Sequence, residues 1–166
     1  MSEIPPSRGL SRRGLLIGGA ATLGVAGIAM VAVGARDGYL FAALSPTDRF
    51  SGDELSPPDV LAAVQAGEVL LVDIRRPDEW ERTGIAEGAA PLDMRRDDFL
   101  PALEALVEGD VTRPIALICA RGVRSDRLSA RLTASGFTRI IDVPEGMMGS
   151  PAGPGWIARG LPLVQV

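Results

Sequence analysis

One short stretch of the sequence, CARGVRS at positions 119–125, places a nucleophile among positive charges. Cys119 is the only cysteine in the chain, and Arg121 and Arg124 follow it within five positions. Gly122 permits a sharp turn in which successive N–H groups converge on an anion, and a helix start adds partial positive charge. These features all favour the thiolate, which is the nucleophilic form of cysteine. The stretch predicts a reactive Cys119, with a buried structural cysteine as the alternative.

The composition of the chain excludes several kinds of chemistry. There is no histidine, and all 17 basic residues are arginines. Catalysis by Ser-His-Asp or Cys-His groups therefore lacks its base, and a Schiff-base lysine is excluded. A single cysteine also rules out an intramolecular disulfide and a zinc site built from Cys and His ligands. We therefore expect no metal and no cofactor, and chemistry that relies on one thiol, carboxylates, arginines, hydroxyls and backbone groups.

The charge of the chain is unevenly distributed. The net charge is −4, and residues 1–35 carry +2, which leaves −6 for the remainder. An acidic remainder without a basic tract argues against a nucleic-acid partner.

The first 35 residues predict an export signal or a membrane anchor. Positions 14–35 form a stretch of 22 uncharged residues, which reaches about 30 Å as a helix, the thickness of a bilayer core. Arg12 and Arg13 precede it in a pattern that resembles the twin-arginine export signal, although Ile17 replaces the usual lysine. We expect an exported protein, either periplasmic or anchored to the inner membrane and facing the periplasm. Cleavage and retention of the segment both stay open.

The rest of the chain predicts a linker over 36–54 and one α/β domain over 55–166. Helices are predicted from Ser56 to Gly67, from Pro77, from Asp97 or Asp98 to Leu106, from Ser125 to Ser135 and, as one turn, around Trp156. Strands are predicted over 69–73, 89–93, 114–118 and 138–142. This alternation is typical of a mainly parallel central sheet flanked by helices. Cys119 follows a strand, at the sheet edge where ligands bind in such folds.

The sequence around Cys119 resembles the active-site loop of rhodanese-like sulfurtransferases, which has the form C-x-x-G-x-R. Three further segments are similar to that family: LVDIRRPDEW (71–80), TGIAEGAAPLDM (83–94) and GFTRIIDVPEGMMGSPAGPGWIARGLPL (136–163). The resemblance extends over residues 55–164 and implies the rhodanese-like fold. One departure lies at Gly84-Ile85, where many members carry a histidine.

The resemblance implies roles for individual residues. Cys119 would accept a sulfur atom as a persulfide, and Arg124 would neutralise the bound anion. Arg121 falls where members vary and would select the substrate, whereas Asp73 and Arg75 would support the loop. The backbone that would cradle the persulfide comprises Ala120, Arg121, Gly122, Val123 and Arg124.

The resemblance also implies a reaction, the transfer of a sulfane sulfur from an anionic donor such as thiosulfate to an external thiol or cyanide. A non-enzymatic module that binds sulfur or a protein partner stays open as an alternative, and the pair Met147-Met148, expected at the mouth of the site, could serve such a partner. Core filling by this methionine pair is the competing interpretation. A phosphatase or arsenate reductase is disfavoured, because those loops place the arginine one residue later than Arg124.

Overall fold

A computed structural model describes residues 49–166. The predicted signal or anchor at 1–35 and positions 36–48 of the predicted linker lie outside the described residues. Within residues 49–166, no helix has both the length and the apolar character needed to cross a bilayer.

The central sheet contains five strands that all run parallel, in the order β1-β6-β5-β2-β4. Its strands are β1 (Asp53–Glu54), β2 (Leu70–Asp73), β4 (Ala89–Pro91), β5 (Ile115–Ile118) and β6 (Ile140–Asp142). A second, antiparallel sheet consists of β3 (Ile85–Ala86) and β7 (Leu163–Val164). The predicted α/β class and mainly parallel sheet are confirmed. The strands β1, β3 and β7 were not predicted, because two residues are too few to show a periodicity. Since β1 pairs with β6, the last residues of the predicted linker belong to the sheet.

The helices lie near their predicted positions. They are α1 (Pro57–Gln65), α2 (Pro77–Thr83), α3 (Phe99–Leu106), α4 (Val123–Ala134) and α5 (Gly155–Ala158). At α1 the Ser56 hydroxyl accepts a hydrogen bond from the Asp59 N–H at 3.4 Å, as an N-cap should. The predicted start of α3 at Asp97 or Asp98 is confirmed, but no side chain caps the helix there. Asp98 occupies the N-cap position of α3, but its carboxylate binds the Arg96 side chain and caps no N–H group.

Two apolar cores cover the two faces of the sheet, and β5 contributes to both. All four residues of β5 are buried. Ile115 and Leu117 pack into the core that contains the buried residues of α3 and α4, whereas Ala116 and Ile118 pack into the core that contains those of α1 and α5. A strand covered on both faces reads as a continuous apolar run, which is why β5 was recognisable. The sheet therefore holds the end of β5, and the residue that follows it, at a fixed position.

Candidate functional site

The site is built where the chain leaves β5 and turns into α4. Cys119 follows the last residue of β5 and is only 1% exposed. Its carbonyl oxygen accepts a hydrogen bond from the Met147 N–H at 2.9 Å, and the Ala120 carbonyl accepts one from the Met148 N–H at 2.9 Å. The segment after β6 therefore fixes the first two residues of the loop.

The loop backbone leaves a row of donors unused. Within residues 49–166, none of the N–H groups from Ala120 to Arg124 donates a hydrogen bond to a protein acceptor. The Gly122 carbonyl, by contrast, is occupied, because it accepts from the Asp126 N–H at 2.9 Å and from the Ser125 hydroxyl at 3.0 Å. The first N–H groups of a helix have no partner within the helix, so a run of free donors at a helix start is suited to an anion. The predicted cradle at 120–124 has this arrangement.

Glycine is required at two points of close backbone approach. Gly122 has φ of +80°, and a Cβ atom there would overlap the Pro144 carbonyl oxygen. Gly146 has φ of +65°, and a Cβ atom there would lie 2.7 Å from the Ala120 carbonyl. Because Gly122 turns the chain so sharply, α4 begins at Val123, two residues before the predicted start.

Arg124 points a guanidinium group toward both the thiol and a carboxylate. Its two terminal nitrogens donate to the Glu79 oxygens at 2.8 and 2.7 Å. These hydrogen bonds are the main cause of the raised pKa of Arg124, to which hydrogen bonding and charge interaction with Cys119 also contribute. The same guanidinium holds the pKa of Glu79 below its usual value. A permanent positive charge therefore lies beside the Cys119 side chain.

Glu79 is a site residue that was not predicted. It lies on α2, 45 positions before Arg124, and its carboxylate also accepts a hydrogen bond from the Arg76 N–H at 3.1 Å. The signal that could have found it is the Glu-aromatic pair formed by Glu79 and Trp80, which is part of the family resemblance. That pair was assigned to the family pattern without a role for its carboxylate.

The predicted supporting pair lies beneath α2. Arg75 and Asp73 form a buried ion pair with a shortest distance of 2.7 Å. Arg75 also donates to the Thr83 hydroxyl and to the Gly84 carbonyl, both at 2.8 Å. None of these partners belongs to positions 119–124, and the supporting role of the pair stays a prediction. Gly84 belongs to the Gly84-Ile85 segment, where many family members carry a histidine and this sequence does not.

The other residues singled out in the sequence are Arg121, Met147 and Met148. Arg121 is exposed and has no ion-pair partner among the described residues. Met148 is 53% exposed beside the loop, whereas Met147 is fully buried in the core. Core filling is confirmed for Met147, whereas a role of Met148 in binding a partner stays a prediction. Within residues 49–166, no cluster of three or more Cys, His, Asp or Glu side chains is arranged to bind a metal.

Comparison with known proteins identifies the family to which the folded region belongs. The sequence profile described as "Rhodanese-like domain" matches residues 56–149, which is more than half of the chain. The chain belongs to the rhodanese-like family. The matched range contains β2, the Asp73–Arg75 pair, Glu79 and the whole Cys119 loop.

Several known proteins resemble this chain in sequence or in fold. A curated relative, the tRNA uridine(34) hydroxylase of Salmonella paratyphi B, is 29% identical over 99 residues. That match takes in 58% of this chain but only 28% of the hydroxylase. The chain therefore matches only about a quarter of the length of this relative.

Two solved structures show the same fold. The polysulfide-sulfur transferase homodimer of Wolinella succinogenes is 24% identical, with a TM-score of 0.53 over 69% of this chain and 79% of that one. The rhodanese-like domain of an Anabaena protein is 16% identical, with a TM-score of 0.55 over 69% and 80% of the two chains. At these identities the likeness establishes the fold and no shared activity.

Proposed function

We propose that this protein is a sulfurtransferase that carries a sulfane sulfur on Cys119, with thiosulfate or a similar anion as donor. The observation that carries this proposal is the placement of Cys119 at the base of a loop whose N–H groups from Ala120 to Arg124 are free. Arg124 adds a fixed positive charge at the same place. The anionic terminal sulfur of a persulfide requires donors and charge of this kind.

The proposed reaction has two half-reactions. In the first, the Cys119 thiolate attacks the outer sulfur of thiosulfate, an S–S bond forms, and the bond between the two donor sulfurs breaks with release of sulfite. In the second, an acceptor thiolate or cyanide attacks the terminal sulfur, and the electron pair of the broken bond returns to Cys119 Sγ as a thiolate. With no second cysteine in the chain, an internal disulfide cannot resolve the persulfide. The acceptor is therefore a separate molecule.

The size of the loop supports sulfur over phosphate as the transferred group. Four residues separate Cys119 from Arg124, and Ser125 takes the position where a phosphatase-type loop carries its arginine. The Ser125 hydroxyl is buried and donates to the Gly122 carbonyl at 3.0 Å, so it is not presented to a ligand. We propose that the shorter loop holds one sulfur atom.

The cellular setting of this activity is also a proposal. The uncharged stretch at 14–35 and the arginines before it support export, with activity in the periplasm or at its membrane face. Thiosulfate and small thiols would reach the site from that compartment.

A turnover assay tests the proposed activity. Thiocyanate formation from thiosulfate and cyanide should be measured for the wild-type chain and for Cys119→Ser, because a serine hydroxyl is not ionised at neutral pH. We expect turnover in the wild type and none in the variant, with unchanged free energy of unfolding. Equal turnover in the variant would contradict the proposal.

A further inference from the structure

The carboxylate of Glu145 holds both ends of the short helix α5. Glu145 follows β6 and is buried, with 4% of the residue exposed. Its Oε2 atom accepts hydrogen bonds from the Gly155 N–H at 2.9 Å and from Arg159 Nε at 2.8 Å. Its Oε1 atom accepts one from Arg159 Nη2 at 2.7 Å. Gly155 begins α5 and Arg159 follows its last residue, so one buried side chain fixes the helix at its start and at its end.

The backbone of α5 is bound in turn to the segment after β6. The Trp156 N–H donates to the Gly146 carbonyl at 3.0 Å. The Ile157 N–H donates to the Met147 carbonyl at the same distance, and the Met147 N–H donates to the Cys119 carbonyl at 2.9 Å. Met147 therefore joins α5 directly to the nucleophilic residue, because its carbonyl binds the helix and its N–H group binds Cys119.

Hydrogen bonds from this segment decide which way the first loop donors point. The Met147 N–H binds the Cys119 carbonyl, and the Met148 N–H binds the Ala120 carbonyl. In a trans peptide the C=O bond and the N–H bond of the next residue point in opposite directions. The Ala120 and Arg121 N–H groups therefore face away from the methionine segment, and neither has a protein acceptor within residues 49–166. These two groups are the first donors of the proposed persulfide cradle.

We propose that Glu145 is a positioning residue for the Cys119 loop, because it holds α5 against the segment that orients the first loop donors. This inference rests on the proposed sulfurtransferase function, in which those donors stabilise an anionic sulfur. Within residues 49–166 the Glu145 carboxylate binds Gly155 and Arg159 and no loop residue, so its effect on Cys119 is indirect. Hydrogen bonding from Arg159 lowers the pKa of Glu145, which keeps the carboxylate ionised at neutral pH.

The pH profile of Cys119 alkylation by iodoacetamide, measured on the full chain, tests this role. Only the thiolate reacts, so the midpoint of the profile reports how well the loop stabilises the anion, whereas access to the thiol alters the plateau rate. In Glu145→Ala we expect the midpoint to lie about 1 pH unit above the wild-type value, which corresponds to one lost hydrogen bond to the anion. Loss of the Glu145 charge alone would lower the midpoint, since a nearby anion opposes the thiolate. A folded Glu145→Ala with an unchanged or lowered midpoint would overturn the proposal.

Two milder variants decide the matter if Glu145→Ala does not fold. Glu145→Gln keeps an oxygen for the Gly155 N–H but loses one hydrogen bond to Arg159, so we expect a smaller rise of the midpoint than in the alanine variant. Gly153→Ala leaves the charge in place, but its Cβ atom would overlap the Glu145 carboxylate and displace it. We expect a raised midpoint there too. Wild-type midpoints in both variants would contradict the positioning role.

Val107→Ala is the control for a general loss of stability. Val107 is buried after the end of α3, in the core on the opposite face of the sheet from Met147 and Trp156. Truncation of this side chain should lower the free energy of unfolding and leave the alkylation midpoint at its wild-type value. A midpoint raised as far as in Glu145→Ala would attribute the effect to destabilisation and overturn the proposal.

The alkylation measurement also separates failure of this inference from failure of the proposed function, because it requires no sulfur transfer. A raised midpoint in the Glu145 variants supports the positioning role even if thiosulfate leaves no sulfur on Cys119. Sulfur bound to wild-type Cys119, together with wild-type midpoints in the Glu145 variants, overturns the positioning role and leaves the proposed function standing.

Discussion

Arg124 reaches Glu79 through two hydrogen bonds of 2.8 and 2.7 Å, and interaction with Cys119 also contributes to the raised pKa of its guanidinium group. The carboxylate comes from α2 and the guanidinium from the first turn of α4, so two separate elements fix one charge beside the nucleophile. A two-point bond of this kind restricts rotation of the arginine fork more than a single contact does. The position of the positive charge, and not merely its presence, is therefore defined by the fold.

This arrangement predicts that a lysine cannot replace Arg124. Arg124→Lys keeps the charge but loses the paired hydrogen bonds to Glu79, so we expect kcat/KM for thiosulfate to fall about tenfold or more. Arg124→Ala should also slow iodoacetamide alkylation of Cys119 at pH 7, because the thiolate loses its neighbouring cation.

Arg82→Lys is the matched control for the lysine substitution. Arg82 lies on α2, is largely exposed, and pairs only with Asp78. Its replacement should leave both the steady-state constants and the alkylation rate unchanged. Wild-type kcat/KM in Arg124→Lys would show that charge alone is sufficient.

Gly122→Ala should destabilise the protein more than an ordinary substitution of a positive-φ glycine. The cost has two parts, a left-handed backbone and a Cβ atom that overlaps the Pro144 carbonyl oxygen. Gly67→Ala isolates the first part, because Gly67 has φ of +72° and open space around it. We expect the control to lose about 1 kcal/mol in free energy of unfolding and Gly122→Ala to lose at least about 2 kcal/mol. Equal losses in urea titrations would contradict the close contact.

The raised pKa of Asp142 predicts that the free energy of unfolding falls as pH rises toward neutrality. Its pKa is raised to about 7 in the folded chain and returns toward its ordinary value near 3.8 on unfolding. The folded state therefore binds more protons between these values, and the free energy of unfolding falls as pH rises from about 4 to 7. The chain has no histidine, and carboxylates with a lowered pKa, such as Glu79, stay ionised above pH 5 in both states. Asp142 thus dominates the window from pH 5 to 8.

Urea titrations at pH 5 and pH 8 check this expectation. The wild type should be less stable at pH 8, and Asp142→Asn should remove most of that difference because an amide does not titrate. Asp97→Asn, at an exposed position, should keep the wild-type difference. The same difference in Asp142→Asn as in the wild type would show that another group titrates.

The buried pair beneath α2 should be far more sensitive to substitution than an exposed pair of the same chemistry. Asp73→Asn leaves Arg75 buried without its counter-charge, for which we expect a loss of about 3 kcal/mol in free energy of unfolding. Asp98→Asn removes the partner of Arg96 at the surface and should cost less than about 1 kcal/mol. Similar losses in the two variants would show that the buried Asp73–Arg75 pair contributes no more to stability than the exposed Arg96–Asp98 pair.

The sequence was sufficient for four strands of the central sheet and for the Cys119 loop, because their signals are local. The run Ile115–Ile118, the following Cys119 and the glycine at 122 are consecutive, and together they indicate a buried strand that turns into a helix. The helix start at Val123 was missed by two residues, since a left-handed Gly122 ends the turn sooner than periodicity suggests.

Contacts between distant elements were not predictable from one sequence. Glu79 reaches Arg124 across 45 positions, and the pairing of Ile85 with Val164 joins two strands of two residues each. A cavity lined by Glu54, Asp142 and Pro144 likewise depends on β1 and on the segment after β6. Such relationships are set by packing of the whole domain, which leaves no periodic trace in the chain.

The most direct test of the central claim is the intact mass of the full chain after incubation with thiosulfate and removal of excess reagent. We expect the wild type to gain the mass of one sulfur atom on Cys119, dithiothreitol to remove it, and Cys119→Ser to gain nothing. A wild-type chain that gains no sulfur, or a gain that persists in Cys119→Ser, would rule out a persulfide on Cys119.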